Sequence, residues 1–428
     1  MKLITFLGIA NYQTTTYVWQ GREHTTRFFS DAAAYFLRPE QTLVCATPTV
    51  EKHANLIELT SKLAEVNVNY KVVPIPEGHS EADLWRIFDA LTEVVEEGET
   101  VAFDVTHSFR SLPFLSFLAV AYLQAAQQVK VERVLYGAWE AHDAQNHSPV
   151  FDLTPFVTLL DWLTATTRFV ETGDGQALAN LLRAGMPPGI LMRDDLAART
   201  LGQNLKTAAD AIQSVSLALR VTRPIETMQS AAQLAETLEQ AMPGIQQRAK
   251  PFQVLAQKVS QEYGQFALEK PTDEPVLRDG LRRQLKMVEW YIKRRHVVQA
   301  ATLAREWIVS ALCLQFGEPM FDFENGRKHV EGALNNAVER RKENPRTMHS
   351  SRCDAAFEAL AINGRLAKLW GQMIELRNDI AHVGMKLSPK PAALLKQKVE
   401  TMYPQLVELA PILLSGEVKA VADRDSGD

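Results

Sequence analysis

The chain has 428 residues, of which 46% are hydrophobic and 23% charged, with a formal net charge of −5. These values exclude a disordered, collagen-like or low-complexity chain, and they confine any polyanion-binding site to a local patch. Three cysteines, Cys45, Cys313 and Cys353, odd in number and without a CxxC pair, exclude a disulfide scaffold and a cysteine-rich zinc site and point to a reducing cytoplasm.

The length fits about two or three domains. Short β-rich runs are expected at 3–8, 42–46, 70–75, 100–105 and 131–137, with helical patterns between them at 25–37, 50–65, 81–96 and 113–127. A short edge strand is expected at 149–153. Alternating strands and helices mean parallel strands with crossover helices on both faces. The strands are near-continuous apolar runs, as a sheet covered on both sides requires. The fold class is therefore an α/β Rossmann-like N-terminal domain followed by an all-α C-terminal domain. Beyond 153 the pattern is helical, broken by Pro/Gly-containing stretches at 186–189, 243–244 and 269–275. This gives a Rossmann-like domain at 1–153, a helical connector at 154–273, a compact helical domain at 274–415 and a polar tail at 416–428. No segment reads as membrane-spanning. The most apolar stretch, 112–126, is 15 residues long, against roughly 20 needed.

Ligands of open α/β sheets sit beyond the carboxyl ends of the strands. The loops there carry Gly8, Asn11 and Tyr12; Thr47 and Thr49; Gly78 and His79; and Asp104, Thr106, His107, Ser108 and Arg110. Glycine, hydroxyl, amide and basic groups on one edge suit a ligand with phosphates, ribose hydroxyls and base edges. A helix starting near Pro113 points its free N–H groups at the same crevice. The competing reading of each loop is ordinary turn and capping chemistry. There is no GxGxxG after the first strand and no GxxxxGK[ST], which argues against a dehydrogenase and a P-loop NTPase.

The late segment Leu376-Arg377-Asn378-Asp379-Ile380-Ala381-His382 ends a helical pattern. Leu366, Leu369, Met373, Leu376 and Ile380 form its buried stripe. At about 100° per residue, Asn378 and His382 fall together nearly opposite the stripe, and Arg377 lies about 140° from His382. A His shuttles protons near neutral pH, an Arg holds a phosphate and an Asn orients either. RNA supplies its own nucleophile, the 2′-hydroxyl. The competing reading is an ion-paired Arg and a helix-terminal His favoured by the dipole.

The stretch Asp104-Val-Thr-His-Ser-Phe-Arg110-Ser-Leu-Pro113 resembles the signature of CARF domains, the CRISPR-associated Rossmann-fold sensors, with Ser108 standing where the usual pattern has Gly. The opening strand followed by Gly8 and Asn11 also fits. RNDIAH on a late helix resembles the RxxxxH motif of HEPN domains. The two resemblances imply a homodimer, or a higher homo-oligomer, whose sensor domains bind one cyclic oligoadenylate across a two-fold axis. Cyclic tetra-adenylate is expected before cyclic hexa-adenylate. The ligand-binding residues are then Gly8, Asn11, Thr47, Thr49, Thr106, His107, Ser108 and Arg110. The implied activity is metal-independent cleavage of single-stranded RNA in type III CRISPR antiviral defence, without cofactor or membrane. Arg377, Asn378 and His382 carry over to the catalytic positions, and Glu306 to a possible orienting partner.

Two basic stretches are candidate RNA contacts. Residues 278–295 hold seven basic and two acidic side chains, and 326–353 are rich in Arg; surface solvation explains either equally well. His142 and His147 flank a loop without an evident third metal ligand. Two alternative functions stand beside the ribonuclease: a cyclic-oligonucleotide-responsive DNA-binding regulator, and a HEPN toxin or scaffold not controlled by oligoadenylate.

Overall fold

A computed structural model describes residues 1–107, 112–385 and 387–415. The chain divides into two compact units, Met1–Asp161 and Trp162–Asp428.

The first unit runs β1 (Lys2–Phe6), β2 (Thr15–Trp19), β3 (Arg22–Thr26), α1 (Phe29–Leu37), β4 (Gln41–Ala46), α2 (Pro48–Glu51), α3 (Ala54–Glu65), β5 (Asn69–Pro74), α4 (Glu81–Glu93), β6 (Thr100–Asp104), α5 (Leu112–Gln127), β7 (Lys130–Gly137) and β8 (His147–Asp152). The sheet order is β3-β2-β8-β7-β6-β1-β4-β5. The stretch β7-β6-β1-β4-β5 is parallel throughout, and these are the five main strands expected from the apolar runs. Alternate residues of each strand serve opposite faces. Ile4, Phe6, Leu43 and Phe103 pack with Ile87 and Leu91 of α4 and Val120 and Leu123 of α5. Leu3, Val44, Ala102 and Leu135 pack with Phe29 and Ala33 of α1 and Leu59 and Leu63 of α3.

Three expectations are corrected here. Residues 25 and 26 are not helical: Thr25 and Thr26 pair with Thr16 and Thr15 in the β2–β3 hairpin. Gln20 and Gly21, both at positive φ, make the two-residue turn that such hairpins favour. The helix expected at 50–65 is two helices, because Thr47 caps α2 through the Val50 N–H and His53 caps α3 through the Asn55 N–H. The strand expected at an edge is interior: β8 lies between β2 and β7, parallel to β2 and antiparallel to β7, and the β2–β3 hairpin extends the sheet beyond it.

Helix α6 (Thr154–Thr172) leads into the second unit, with α7 (Gln176–Ala184), α8 (Gly189–Asp194), α9 (Leu196–Arg220), α10 (Pro224–Arg248), α11 (Phe252–Gly264), α12 (Leu277–Lys293), α13 (Val297–Phe316), α14 (Lys328–Glu339), α15 (Asp354–Glu358), α16 (Asn363–Ala381) and α17 (Ala392–Leu413). One contiguous set of buried side chains runs from Trp162 to Leu414. The expected break at 243–244 is absent. Pro243 lies inside α10, whose flanking Ala241 and Ile245 are fully buried. Gly244 sits close under Leu201 and Leu205, so tertiary packing carries the helix past the missing N–H. Helix α13 is long and apolar enough to cross a membrane, with a mean hydropathy of 1.4. Its Leu303, Trp307, Ile308 and Leu312 are buried in the helical core, the ordinary place for such a helix.

Candidate functional site

The sheet reverses its winding at β1, which lies between β4 and β6, and a crevice opens beyond the strand ends there. Two adjoining cavities occupy it. One, of about 300 Å³, is lined by Gly8, Ala10, Tyr12, Cys45, Thr47, Ile75, Thr106 and His107, among others. The second, of about 210 Å³, is lined by Asn11, Tyr12, Gln13, Tyr17, Arg27, Thr106, His107, Tyr136, Gly137, Trp139 and Glu140. Tyr12, Thr106 and His107 belong to both and form the partition.

Each wall is held by specific bonds. Asp104, at the end of β6, is fully buried. Its carboxylate accepts hydrogen bonds from Thr5 Oγ1 at 2.6 Å, Ser30 Oγ at 3.2 Å and the Thr106 N–H at 2.8 Å. Burial pushes its pKa up, and these hydrogen bonds oppose the shift. The Thr106 hydroxyl in turn accepts from the Gly137 N–H at 2.9 Å, tying the ends of β6 and β7 together. His107 accepts the Phe29 N–H on Nε2 at 3.0 Å, and burial pushes its pKa down to about 4. A neutral ring so held carries its proton on Nδ1. His107 therefore lines the crevice as a neutral imidazole, not as a cation.

The loop after β1 is fixed by Asn55. Its Nδ2 donates to the carbonyls of Gly8 at 2.9 Å and Ala10 at 3.0 Å, and its Oδ1 accepts from Arg27 at 2.6 Å. The Gly8 N–H donates to the Tyr12 hydroxyl at 2.9 Å. A Cβ on Gly8 would lie 2.7 Å from that oxygen, so glycine is required by close approach rather than by backbone angle.

Of the residues expected to bind ligand, Gly8, Asn11, Thr47, Thr106 and His107 line the two cavities. Thr49 does not: its N–H and hydroxyl both donate to Glu77 Oε1, at 2.9 and 2.6 Å. Ser108 and Arg110 lie outside the described residues. Asn55, Tyr136, Trp139 and Glu140 escaped the reading of the sequence. Asn55 lies inside an expected helix, and the strand order that brings the end of β7 to this crevice has no local signal.

In the helical unit, Leu366, Leu369, Met373 and Leu376 form the buried face of α16. Arg377, Asn378 and His382 are all exposed. None of these three side chains forms a hydrogen bond or ion pair among the described residues. His382 caps the helix, its N–H donating to the Asn378 carbonyl at 3.1 Å. The Val383 N–H returns to Ile380 and the Gly384 N–H to Asp379, a Schellman closure that places Val383 at φ 52°. Gly384, the expected helix stop, follows at φ 72°. Glu306 is held between Arg305 and Arg327. Arg305 also pairs with Glu331 and lies 4.8 Å over the Trp370 ring of α16.

Much of the basic surface is internally paired. Arg294 binds the Val170 carbonyl and Glu262 and stacks 4.3 Å over Trp290. Arg340 pairs with Asp354 and Glu358, and Arg352 with Glu318. These arginines are ion-paired within the helical unit, and Arg352 remains half exposed. Arg282, Lys286, Lys293 and Arg295 remain exposed. His147 pairs with Asp143 and His142 with the Trp139 carbonyl. No group of three or more His, Cys, Asp or Glu placed to hold a metal occurs among the described residues.

Comparison with known proteins adds three findings. Residues 2–139 match the family model described as CRISPR system endoribonuclease Csx1, CARF domain. Residues 158–269 match that of CRISPR-associated protein MJ1674, second domain. The CRISPR-associated protein MJ1674 of Methanocaldococcus jannaschii is 28% identical over 111 residues, covering 25% of this chain and 18% of that protein. The match thus spans less than a fifth of the length of that curated relative. The Rossmann-like unit with its crevice at β1 is thus similar to the CARF domain of Csx1-type CRISPR proteins, and the helical stretch that follows is similar to the second domain of MJ1674.

Proposed function

We propose that the chain is an endoribonuclease of type III CRISPR defence, switched on by a cyclic oligoadenylate bound in the crevice of its CARF domain. Cyclic tetra-adenylate is the activator favoured here, ahead of cyclic hexa-adenylate. The helical region from 274 to 415 acts as a HEPN-type nuclease, and the enzyme works in the cytoplasm as a homodimer or a larger homo-oligomer. The observation that carries the reading is the end of α16, where Arg377, Asn378 and His382 stand exposed and unpaired among the described residues on a helix whose other face is buried.

The chemistry follows from these groups. The 2′-hydroxyl of the substrate attacks the adjacent phosphorus, and the 5′-oxygen of the next nucleotide leaves. The products are a 2′,3′-cyclic phosphate and a 5′-hydroxyl. His382 moves a proton, either from the attacking hydroxyl or to the departing oxygen. Arg377 neutralises the charge that gathers on the phosphoryl oxygens. Asn378 orients the pair. Two copies bring two such sets around one linkage. Activator shifts the dimer towards the competent arrangement only through its greater affinity for that state.

The test is cleavage of a fluorescent single-stranded RNA in EDTA, with and without cyclic tetra- or hexa-adenylate. Activator-dependent cleavage that survives EDTA and falls by at least about 10²-fold in His382→Ala supports the reading. A requirement for magnesium, or full activity in His382→Ala, overturns it. Activity indifferent to every oligoadenylate favours the toxin or scaffold instead.

A further inference from the structure

The two cavities of the crevice differ in chemistry. The larger is mainly aliphatic, with Leu7, Ile9 and Ile75 beside Gly8 and Thr47. The smaller is aromatic, walled by Tyr12, Tyr17, Tyr136 and Trp139, and it carries one carboxylate, Glu140. Trp139 is 42% exposed and packs against the His142 ring with centroids 5.3 Å apart. The Tyr136 hydroxyl donates to Glu140 Oε1. Glu140 Oε2 has no hydrogen bond among the described residues. Tyr136 lies near the end of β7 and Glu140 in the short 3-10 turn Trp139–Ala141 that follows it, so their bond ties the carboxylate back to the sheet.

We infer that the smaller cavity is a nucleobase pocket in which Glu140 accepts a hydrogen bond from the exocyclic amino group of an adenine. The inference rests on the activator reading above and specifies which part of that ligand this chain recognises. A fixed carboxylate repels phosphate and any carbonyl edge. The group opposite it must be a donor, and the 6-amino group of adenine is one. Base-on-aromatic stacking supplies affinity without choosing among bases, so the choice falls to the carboxylate. Tyr136 acts as a positioning residue. Burial, and then its bond to Glu140, push the phenol pKa up to about 12, which keeps it a donor throughout the physiological range. Arg27, on the same wall, is held by Asn55 Oδ1 at 2.6 Å and by Glu58 at 3.3 Å.

The experiment is calorimetric titration of the full chain with two ligands, cyclic tetra-adenylate and the cyclic tetramer of purine riboside, which lacks the 6-amino group. Wild type is expected to bind the adenylate at least about 10-fold more tightly, the usual effect of one hydrogen bond to a charged group. Glu140→Ala is expected to bind both alike, with an unchanged melting temperature because Glu140 is exposed. Tyr136→Phe is expected to fall between the two. Equal binding of both ligands by wild type, or undiminished preference in Glu140→Ala, overturns the inference while leaving the activator reading standing. Failure of wild type to bind any cyclic oligoadenylate overturns the activator reading itself and this inference with it.

Discussion

The Phe29 N–H donates to Nε2 of His107 across 3.0 Å, and the Tyr12 ring lies with its centroid 4.0 Å from the imidazole. The first bond occupies the lone pair that a proton would need. His107 belongs to the packed partition of the crevice, and its pKa near 4 follows from that burial.

This relationship sets a pH dependence. An ordinary His titrates near 6.5 and the folded ring near 4, so the unfolded chain binds more protons between those values. The contribution of neutral His107 to stability is complete above about pH 6.5 and is lost as pH falls towards 4. Urea unfolding of the wild type at about pH 7, 5.5 and 4.5 should show the decline. His107→Gln, whose amide oxygen can still accept from Phe29, should flatten it.

Gly8→Ala places a methyl group 2.7 Å from the Tyr12 hydroxyl. Tyr12 cannot swing aside freely, because it packs edge-on to Phe28 and against His107. The loop must shift and the bond from the Gly8 N–H be lost, at a cost of about 1–3 kcal/mol. The affinity of cyclic tetra-adenylate should fall at least about 10-fold by calorimetry, with a lowered melting temperature.

Asn55→Ala leaves the carbonyls of Gly8 and Ala10 without their donor and Arg27 without its amide acceptor. Unmet groups at a buried position cost about 1–3 kcal/mol each where water cannot reach them. Hydrogen exchange should show faster opening of the loop after β1 and of the start of α3, with weaker activator binding.

Arg377→Lys keeps the charge and loses the planar fork that grips a phosphate. RNA cleavage should fall by roughly 10–100-fold. Because Arg377 is exposed, stability should move by less than about 0.5 kcal/mol. A melting temperature that falls with the activity would instead mark a structural role.

Val383 is a β-branched residue at φ 52°, a conformation that L side chains with branched Cβ adopt only under strain. It is 80% exposed, so little packing is lost on removing it. Val383→Gly should stabilise the helical unit by about 0.5–1 kcal/mol, the relief of strain exceeding the added entropy of glycine. Thermal unfolding of the two variants side by side measures it.

The parallel strands were legible because each is an unbroken apolar run, and a doubly covered strand needs nothing else. The buried stripe of α16 was legible for the same kind of reason, a repeat every three or four residues. The β2–β3 hairpin was missed because its residues are half polar and abut a helix, and Thr25 and Thr26 suit either state. Pro243 misled because its local preference yields to the packing of Ala241, Gly244 and Ile245.

The residue sequence by itself determined the two-part architecture, the parallel strand set and the crevice loops that hold Gly8, Thr47, Thr106 and His107. Each of those is a property of neighbouring residues along the chain. Only the tertiary structure decided that Asn55 would pin the loop after β1, that His107 would be held neutral by Phe29, and that Glu140 would reach the crevice. Those roles depend on strand order, which places groups far apart in sequence within hydrogen-bond distance, and no local periodicity encodes it.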